Sequence, residues 1–197
     1  SNFAVLGGAG VTCTASGVAG NVGSLLSVTG FPPPAPALCT LVGTVHAGDA
    51  AAITAFNDFV LAYAALAAIP CPTDAPHLLS GDLVGKVLSP GVYCISGVGL
   101  LTGQLTLNGP SNGIWIFKAS TSLTPIGGSV VMAGGGQQRN VFWQLGSAAS
   151  FDNTDFVGNV LAGSAITFTG VGSSLVGRAL AKTAVTMTGA NISNNRR

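Results

Sequence analysis

Four sets of residues in this 197-residue chain could do chemistry: a carboxylate pair, two histidines, four cysteines, and ranks of threonine, serine and alanine. Asp152 and Asp155 are the only close acidic pair in the repetitive second half. Cleavage of a polysaccharide would need such a pair, often with Arg or Lys beside it. Their setting, Phe151-Asp152-Asn153-Thr154-Asp155, reads instead as a turn in which Asp and Asn bond local backbone. His46 precedes a predicted helix and suits a structural hydrogen bond there, while His77 sits in a Pro-flanked loop and is expected to be exposed. No spacing pairs a nucleophile with a base. Gly134-Gly135-Gly136 lacks the Lys-Ser/Thr and the helix of a phosphate loop. Cys13, Cys39, Cys71 and Cys94 form no C-x-x-C pair, and two histidines cannot complete a zinc site of usual spacing. Neither a metal nor any other cofactor is expected, and the chain reads as a non-enzyme. An even cysteine count in a neutral, strand-rich chain reads as two disulfides formed in an oxidising compartment, buried thiols being the alternative.

The ranked hydroxyls are the stronger signal. Gly146-Ser147-Ala148-Ala149-Ser150-Phe151 recurs as Gly163-Ser164-Ala165-Ile166-Thr167-Phe168 and as Lys182-Thr183-Ala184-Val185-Thr186-Met187, at offsets of 17 and 19 residues. Phe156–Ala162 likewise matches Leu175–Ala181. Looser copies start at Lys118 (with Thr121, Ser122 and Thr124) and at Leu101 (with Thr102, Gln104 and Thr106). A period near 18 with several short strands and corner glycines is the signature of a β-solenoid; near-constant repeat length disfavours a sandwich or barrel. Alternation sends Ile166, Phe168, Val185 and Met187 inward, and Ala165, Thr167, Thr169, Ala184, Thr186 and Thr188 outward. Stacked coils then rank Ser150, Thr167 and Thr186 in one file, with Thr124 and Thr106 as extensions, beside a file of Ala148, Ala165 and Ala184. The face so formed is small, flat, weakly polar and uncharged.

Other elements must carry that face. The composition is 48% hydrophobic but only 7% charged, with 29 Gly and a formal net charge of +1. A typical soluble domain carries roughly 25% charged residues, so the surface is unusually neutral. Neither nucleic acid nor an anionic membrane fits, because both need clustered Lys/Arg. The longest charge-free apolar run, 59–69, is shorter than the ~20 residues of a membrane span. Ser1-Asn2-Phe3 shows no signal-peptide pattern and is expected to be a mature start or an artificial junction. One domain is expected over 1–197. It would comprise N-terminal strands over 3–30, a proline-rich capping loop over 31–45, a helix over 49–68, solenoid coils over 79–192 and a tail over 193–197. The helix has Asp49 as N-cap, Pro70 as its stop, and an apolar stripe of Ile53, Phe56, Phe59, Val60, Tyr63 and Leu66. Such a stripe needs a long flat partner, and the flank of a solenoid supplies one. Trp115 and Trp143 are expected to fill the core or pack near the helix, with carbohydrate stacking as the minor alternative. A helix about 30 Å long separates Cys39 from Cys71, which disfavours that bridge among the three pairings; Cys13–Cys39 with Cys71–Cys94 is favoured. Asn191-Ile192-Ser193 is a formal glycosylation sequon, without meaning in a bacterial source.

Several stretches resemble the bacterial and fungal ice-binding (antifreeze) proteins. They are AVLGGAGVT (4–12), GTVHAGD (43–49), LSGDLVGKVLSPGVY (79–93), WIFKAS (115–120), NVFWQLGSAASF (140–151) and GRALAKTAVTMTGANI (177–192). Order and spacing agree over about 4–192. The resemblance implies a right-handed β-solenoid of triangular cross-section with one long helix alongside, a capping insertion, and coils that need not follow chain order. It also implies secretion, and adsorption to ice through one flat face, with thermal hysteresis and inhibited recrystallisation. Some members carry Thr-Ala/Gly-x-Thr/Asn there; Thr183-Ala184-Val185-Thr186 fits fully, Ser164–Thr167 with Ser for Thr, and Ser147–Ser150 more loosely. The candidate ice-binding residues are thus Thr102, Gln104, Thr106, Thr121, Ser122, Thr124, Ser147, Ala148, Ser150, Ser164, Ala165, Thr167, Thr169, Thr183, Ala184, Thr186 and Thr188. The expected partner is an ice crystal surface and the expected state a monomer, since a capped solenoid exposes few free edges. The competing readings are a solenoid module for adhesion or polysaccharide binding, and a carbohydrate-active enzyme.

Overall fold

A computed structural model describes residues 2–32 and 38–194. Every strand pairing in it is parallel, and the pairings sort the strands into three faces of one solenoid. The chain enters the stack at Leu78–Asp82 and winds without interruption to Asn191–Ser193. The coils before residue 48 then stack beyond that last coil. Phe3–Gly7 lies on the strand Ser174–Ala181, and Gly10–Thr14 lies on Ala184–Thr188. The first and last segments of the sequence are therefore neighbours in the middle of the stack.

The helix, Ala50–Ala68, carries the chain from the far end of the stack back to its start. Nineteen residues rise about 28 Å. From Val45–Ala47 to Trp115–Ala119 there are six strand spacings, about 29 Å. The match lets the helix lie along one face, which we call the helix face. Phe56, Phe59, Val60, Tyr63 and Leu66 pack there against Phe3, Leu6, Phe142, Leu161 and Leu180. Ile53, expected on that stripe, is 45% exposed; Ala52 and Ala55 are buried instead, because small side chains allow the close approach. Both helix ends are tied down. Asp49 Oδ1 accepts from Ala52 N at 2.8 Å, and its other oxygen takes His46 Nδ1 at 2.7 Å. The Ala52 amide chiefly, then His46, holds the Asp49 carboxyl below the usual carboxylate range. At the other end Lys118 Nζ donates to the carbonyls of Ala67 and Ile69, where the helix dipole is negative.

Inside the coils, in-register aromatics stack. Tyr93, Phe117 and Trp143 form one column, with centroids 5.4 and 3.9 Å apart, and Phe151 lies on Phe168 at 4.7 Å. Both tryptophans are fully buried, and their indole N–H groups donate to the carbonyls of Leu88 and Val157. The bridges are Cys13–Cys39 and Cys71–Cys94. The second fastens the chain leaving the helix to the solenoid.

Two expectations about the chain ends change. Residues 31–45, read as a capping loop, contain the strand Thr40–Val42, which continues the ladder of Gly17–Ala19; Val45–Ala47 continues that of Asn21–Ser24. Prolines mark only the start of this segment, and 33–37 lie outside the described residues, as do 195–197 of the expected tail. Ser193, placed in that tail, ends the strand Asn191–Ser193. Between the two long strands Asp155–Ala162 and Ser174–Ala181, the bend is made by Gly158 lying on Gly177. Gly177 has φ +154°, and a Cβ there would sit 1.9 Å from the Gly158 carbonyl oxygen, so only glycine turns this corner.

Candidate functional site

The helix covers one face, leaving two. On the first, the hydroxyl face, inward residues alternate with small outward ones: Ala184–Thr188, Ile166–Thr169, Ala149–Asp152 and Gly10–Thr14 all bury every second side chain. Register pairs Ser150 with Thr167, Thr167 with Thr186, Thr186 with Thr12 and Thr12 with Thr29. Thr124 joins the other end, one step after the pair Leu123–Ala149. A single file of six hydroxyls, Thr29, Thr12, Thr186, Thr167, Ser150 and Thr124, therefore crosses six consecutive coils. It ends at Leu100, which occupies the same position in the next coil.

Two further files flank it. Ala184 lies beside Gly10, which lies beside Ser27; Ala165, Ala148 and Ser122 extend that file through the same register. On the other side Thr188 pairs with Thr14, and Thr169 with Asp152. At the corner entering the face, Thr121, Ser147, Ser164 and Thr183 form a column. Each amide donates to the carbonyl of the preceding member: Ser147 N to Thr121 O at 2.8 Å, Ser164 N to Ser147 O at 3.1 Å, Thr183 N to Ser164 O at 3.3 Å. Flatness has a plain cause. The outward residues of the central file and of the Ala184 file are Gly, Ala, Ser and Thr, with Asp152 and Ile126 confined to the outer file. The core beneath holds Val11, Val185, Ile166 and Leu123, all fully or almost fully buried.

Three candidate residues are not in these files. Gln104 and Thr106 belong to the strand Gln104–Asn108, which pairs with Ser129–Ala133 and Val87–Leu88 on the third face. Thr106 there stands between Val87 and Val131, and takes a hydrogen bond from Gln104 Nε2 at 3.1 Å. Thr102 lies in the bend leaving Leu101, its hydroxyl on Asp82. That hydroxyl holds the Asp82 carboxyl below its ordinary range. The difference has a physical origin: a constant period of about 18 sets Thr106 against Thr124, whereas the register sets Leu100 there, a 24-residue coil. Thr12, Thr14 and Thr29 were missed for the converse reason, since their partners lie at the other end of the chain. The signal was present, because Gly10-Val11-Thr12-Cys13-Thr14 copies Ala184-Val185-Thr186-Met187-Thr188.

The remaining candidates for chemistry are dispersed. Asp152 is exposed at the edge of the hydroxyl face, while Asp155 lies round the corner on the third face with Ser174 Oγ at 2.6 Å. The corner separates them, so they do not flank one cleft. His77, expected to be simply exposed, is half-buried against Tyr93, and its Nδ1 bonds Asp74 at 2.5 Å. No group of three or more His, Cys, Asp or Glu able to hold a metal ion occurs among the described residues.

Residues 5–193 match the profile of the ice-binding-like family. The chain belongs to that family. It is 39% identical over 175 residues to an ice-binding protein of Nostoc sp. (strain HG1), covering 86% of this chain and 62% of that one. It is 32% identical over 183 residues to an ice-binding protein of Flavobacterium frigoris (strain PS1), covering 84% and 64%. The ice-binding-like chain thus spans less than two thirds of the length of these relatives. Its fold is similar to the crystal structure of an ice-binding protein from the Antarctic ascomycete Antarctomyces psychrotrophicus. The TM-score is 0.90 at 29% identity, covering 100% of this chain and 96% of that one.

Proposed function

We propose that this chain adsorbs to ice through the hydroxyl face, without chemical turnover, and thereby depresses freezing and slows recrystallisation. The observation that carries the reading is the unbroken six-residue file from Thr29 to Thr124. β-Branching holds each threonine near one rotamer, so methyls and hydroxyls are presented in fixed order. Coils repeat at about 4.8 Å and alternate residues along a strand at roughly 6.7 Å, spacings close to those of the ice lattice. The methyls exclude disordered water and the hydroxyls hold water in rank. Because the backbone ladder already orders the face, little entropy is lost on binding. Adsorbed molecules pin the crystal surface, and ice between them advances only as curved fronts.

The same reading makes the protein secreted and monomeric. Two disulfides support the first, as they persist in oxidising surroundings. The helix is long and apolar enough by composition to cross a membrane, but its aromatic stripe is engaged by the solenoid, and Asn57 and Asp58 interrupt its length.

A direct test freezes a fluorescently labelled sample onto a slowly growing ice hemisphere and watches single crystals in dilute solution. Label should coat the ice, and crystals should become faceted. Label left wholly in the liquid, with crystals growing as rounded discs, would overturn the proposal. Capture by a glycan array under the same outcome would reassign the scaffold to polysaccharide adhesion.

A further inference from the structure

The third face is lined by a file of β-branched and small residues that includes Val42, Ala19, Ser193, Val176 and Val157, and beside it runs a polar file. In that polar file Asn191 pairs with Gly17 on one side and Ser174 on the other. Asn191-Ile192-Ser193 is the one Asn-x-Ser/Thr sequence in the chain. Its middle residue, Ile192, is only 2% exposed, so the alternation turns Asn191 and Ser193 outward; Asn191 is exposed. The Asn191 backbone amide donates to Ser173 O, but its side-chain amide makes no hydrogen bond among the described residues, whereas Asn159 Nδ2 is committed to the Val141 and Arg139 carbonyls and Asn140 Nδ2 to Ser111 O. A Cβ on Gly17 would lie 2.8 Å from Asn191 Oδ1, so the carboxamide rests over this glycine, and Ser174 on the other flank is small.

We infer that Asn191 is an acceptor for an N-linked oligosaccharide, and that the third face is where this protein can carry a glycan. In the transfer the amide nitrogen displaces pyrophosphate from C1 of a lipid-linked oligosaccharide; a C–N bond forms, the C–O bond to the lipid pyrophosphate breaks, and the amide gives up one proton. A eukaryotic secretory route supplies the lipid-linked donor and is also oxidising enough to form the two disulfides. Because residue 191 points away from the core and its strand is paired on both sides through backbone, a sugar there leaves the ladder intact. It also leaves the hydroxyl face bare, since the two faces meet only at a corner. A mobile glycan keeps the third face off any flat surface, so the position also separates the two open faces experimentally. In that respect the inference builds on the hydroxyl-face reading.

The test is secretion of the full chain from a yeast host, beside Asn191→Gln. A second variant carries Asn191→Gln with Thr167→Asn, which makes residues 167–169 a sequon on the hydroxyl face. The unaltered chain should gain the mass of one oligosaccharide, lost on treatment with peptide-N-glycosidase F and absent from Asn191→Gln. Both of these proteins should adsorb to ice equally, while the variant glycosylated at 167 should lose adsorption. Secretion of the unaltered chain with no enzyme-sensitive mass overturns the acceptor assignment and leaves the hydroxyl-face reading standing. A glycan at Asn191 that abolishes ice adsorption supports the acceptor and overturns the choice of face.

Discussion

Replacing Thr167 by Tyr should remove most of the affinity for ice while leaving the fold unaltered, and the size of the loss can be worked out. Each outward position on the hydroxyl face occupies a cell of about 4.8 by 6.7 Å, roughly 32 Å². With half of it apolar, at ~25 cal/mol/Å², a cell contributes about 0.4 kcal/mol. A phenol ring stands above the methyl plane by more than the ~4 Å of a van der Waals contact, so it lifts its own coil and both neighbours away from a flat partner. Thr167 has Ser150 on one side and Thr186 on the other. Three outward positions in each of three coils make nine cells, about 3.6 kcal/mol, between two and three powers of ten in affinity. Thr124→Tyr, at the end of the file beside Leu100, disturbs six cells and should cost under two powers of ten. Thr106→Tyr, on the third face, should cost nothing. The assay is the fraction of labelled protein taken into an ice hemisphere, with thermal hysteresis read on the same samples. Melting temperatures should stay within about 2 °C of the parent, because all three sites are surface positions. Equal losses at 106 and 167, or none at 167, would refute the reasoning.

Leu100→Thr should lengthen the file from six coils to seven; one added cell predicts roughly a doubling of ice affinity by the same partition assay, and a decrease would show that the file's end is not its limit. Gly177→Ala forces a Cβ into the Gly158 carbonyl at a positive φ, and should lower stability by roughly 2–4 kcal/mol, a melting-point drop on the order of 10 °C; an unchanged melting curve would mean the corner can open. Asp49 has a carboxyl pKa below its unfolded value, so its support of the helix is present above about pH 4 and is lost as pH falls through the lowered value. Helical circular dichroism should therefore fade at low pH in the parent and show no such step in Asp49→Asn, which still caps the helix.

The solenoid, its helix and its inward residues were legible because each rests on a local period: two along strands, 3.6 along the helix, about 18 between coils. Cys13–Cys39 could be favoured because the helix alone sets a distance that disfavours Cys39–Cys71. Legibility stopped where the period stopped. Thr106 shares the outward phase of Thr124 but lies on another face, because coils of 24 residues turn a fixed offset into the wrong side of the triangle. Thr12 and Thr29 were hidden because local pattern says nothing about which coil stacks on which. Ile53 failed for a smaller reason: helical spacing predicts a stripe, but alanines decide how near the helix can approach.

Gly10–Thr14 rests on Ala184–Thr188, and this has a consequence for how the molecule is made. A ribosome delivers the opening coils almost a full chain length before the strand that completes them. Until then they present unpaired backbone edges and uncovered valine and phenylalanine, a long-range closure that slows folding and invites association between nascent chains. Joining residue 194 to residue 2, whose neighbour Phe3 accepts a hydrogen bond from Asn194, and opening the chain near residue 72 would put the segments in stacking order, and such a permutant should fold faster with the same final face.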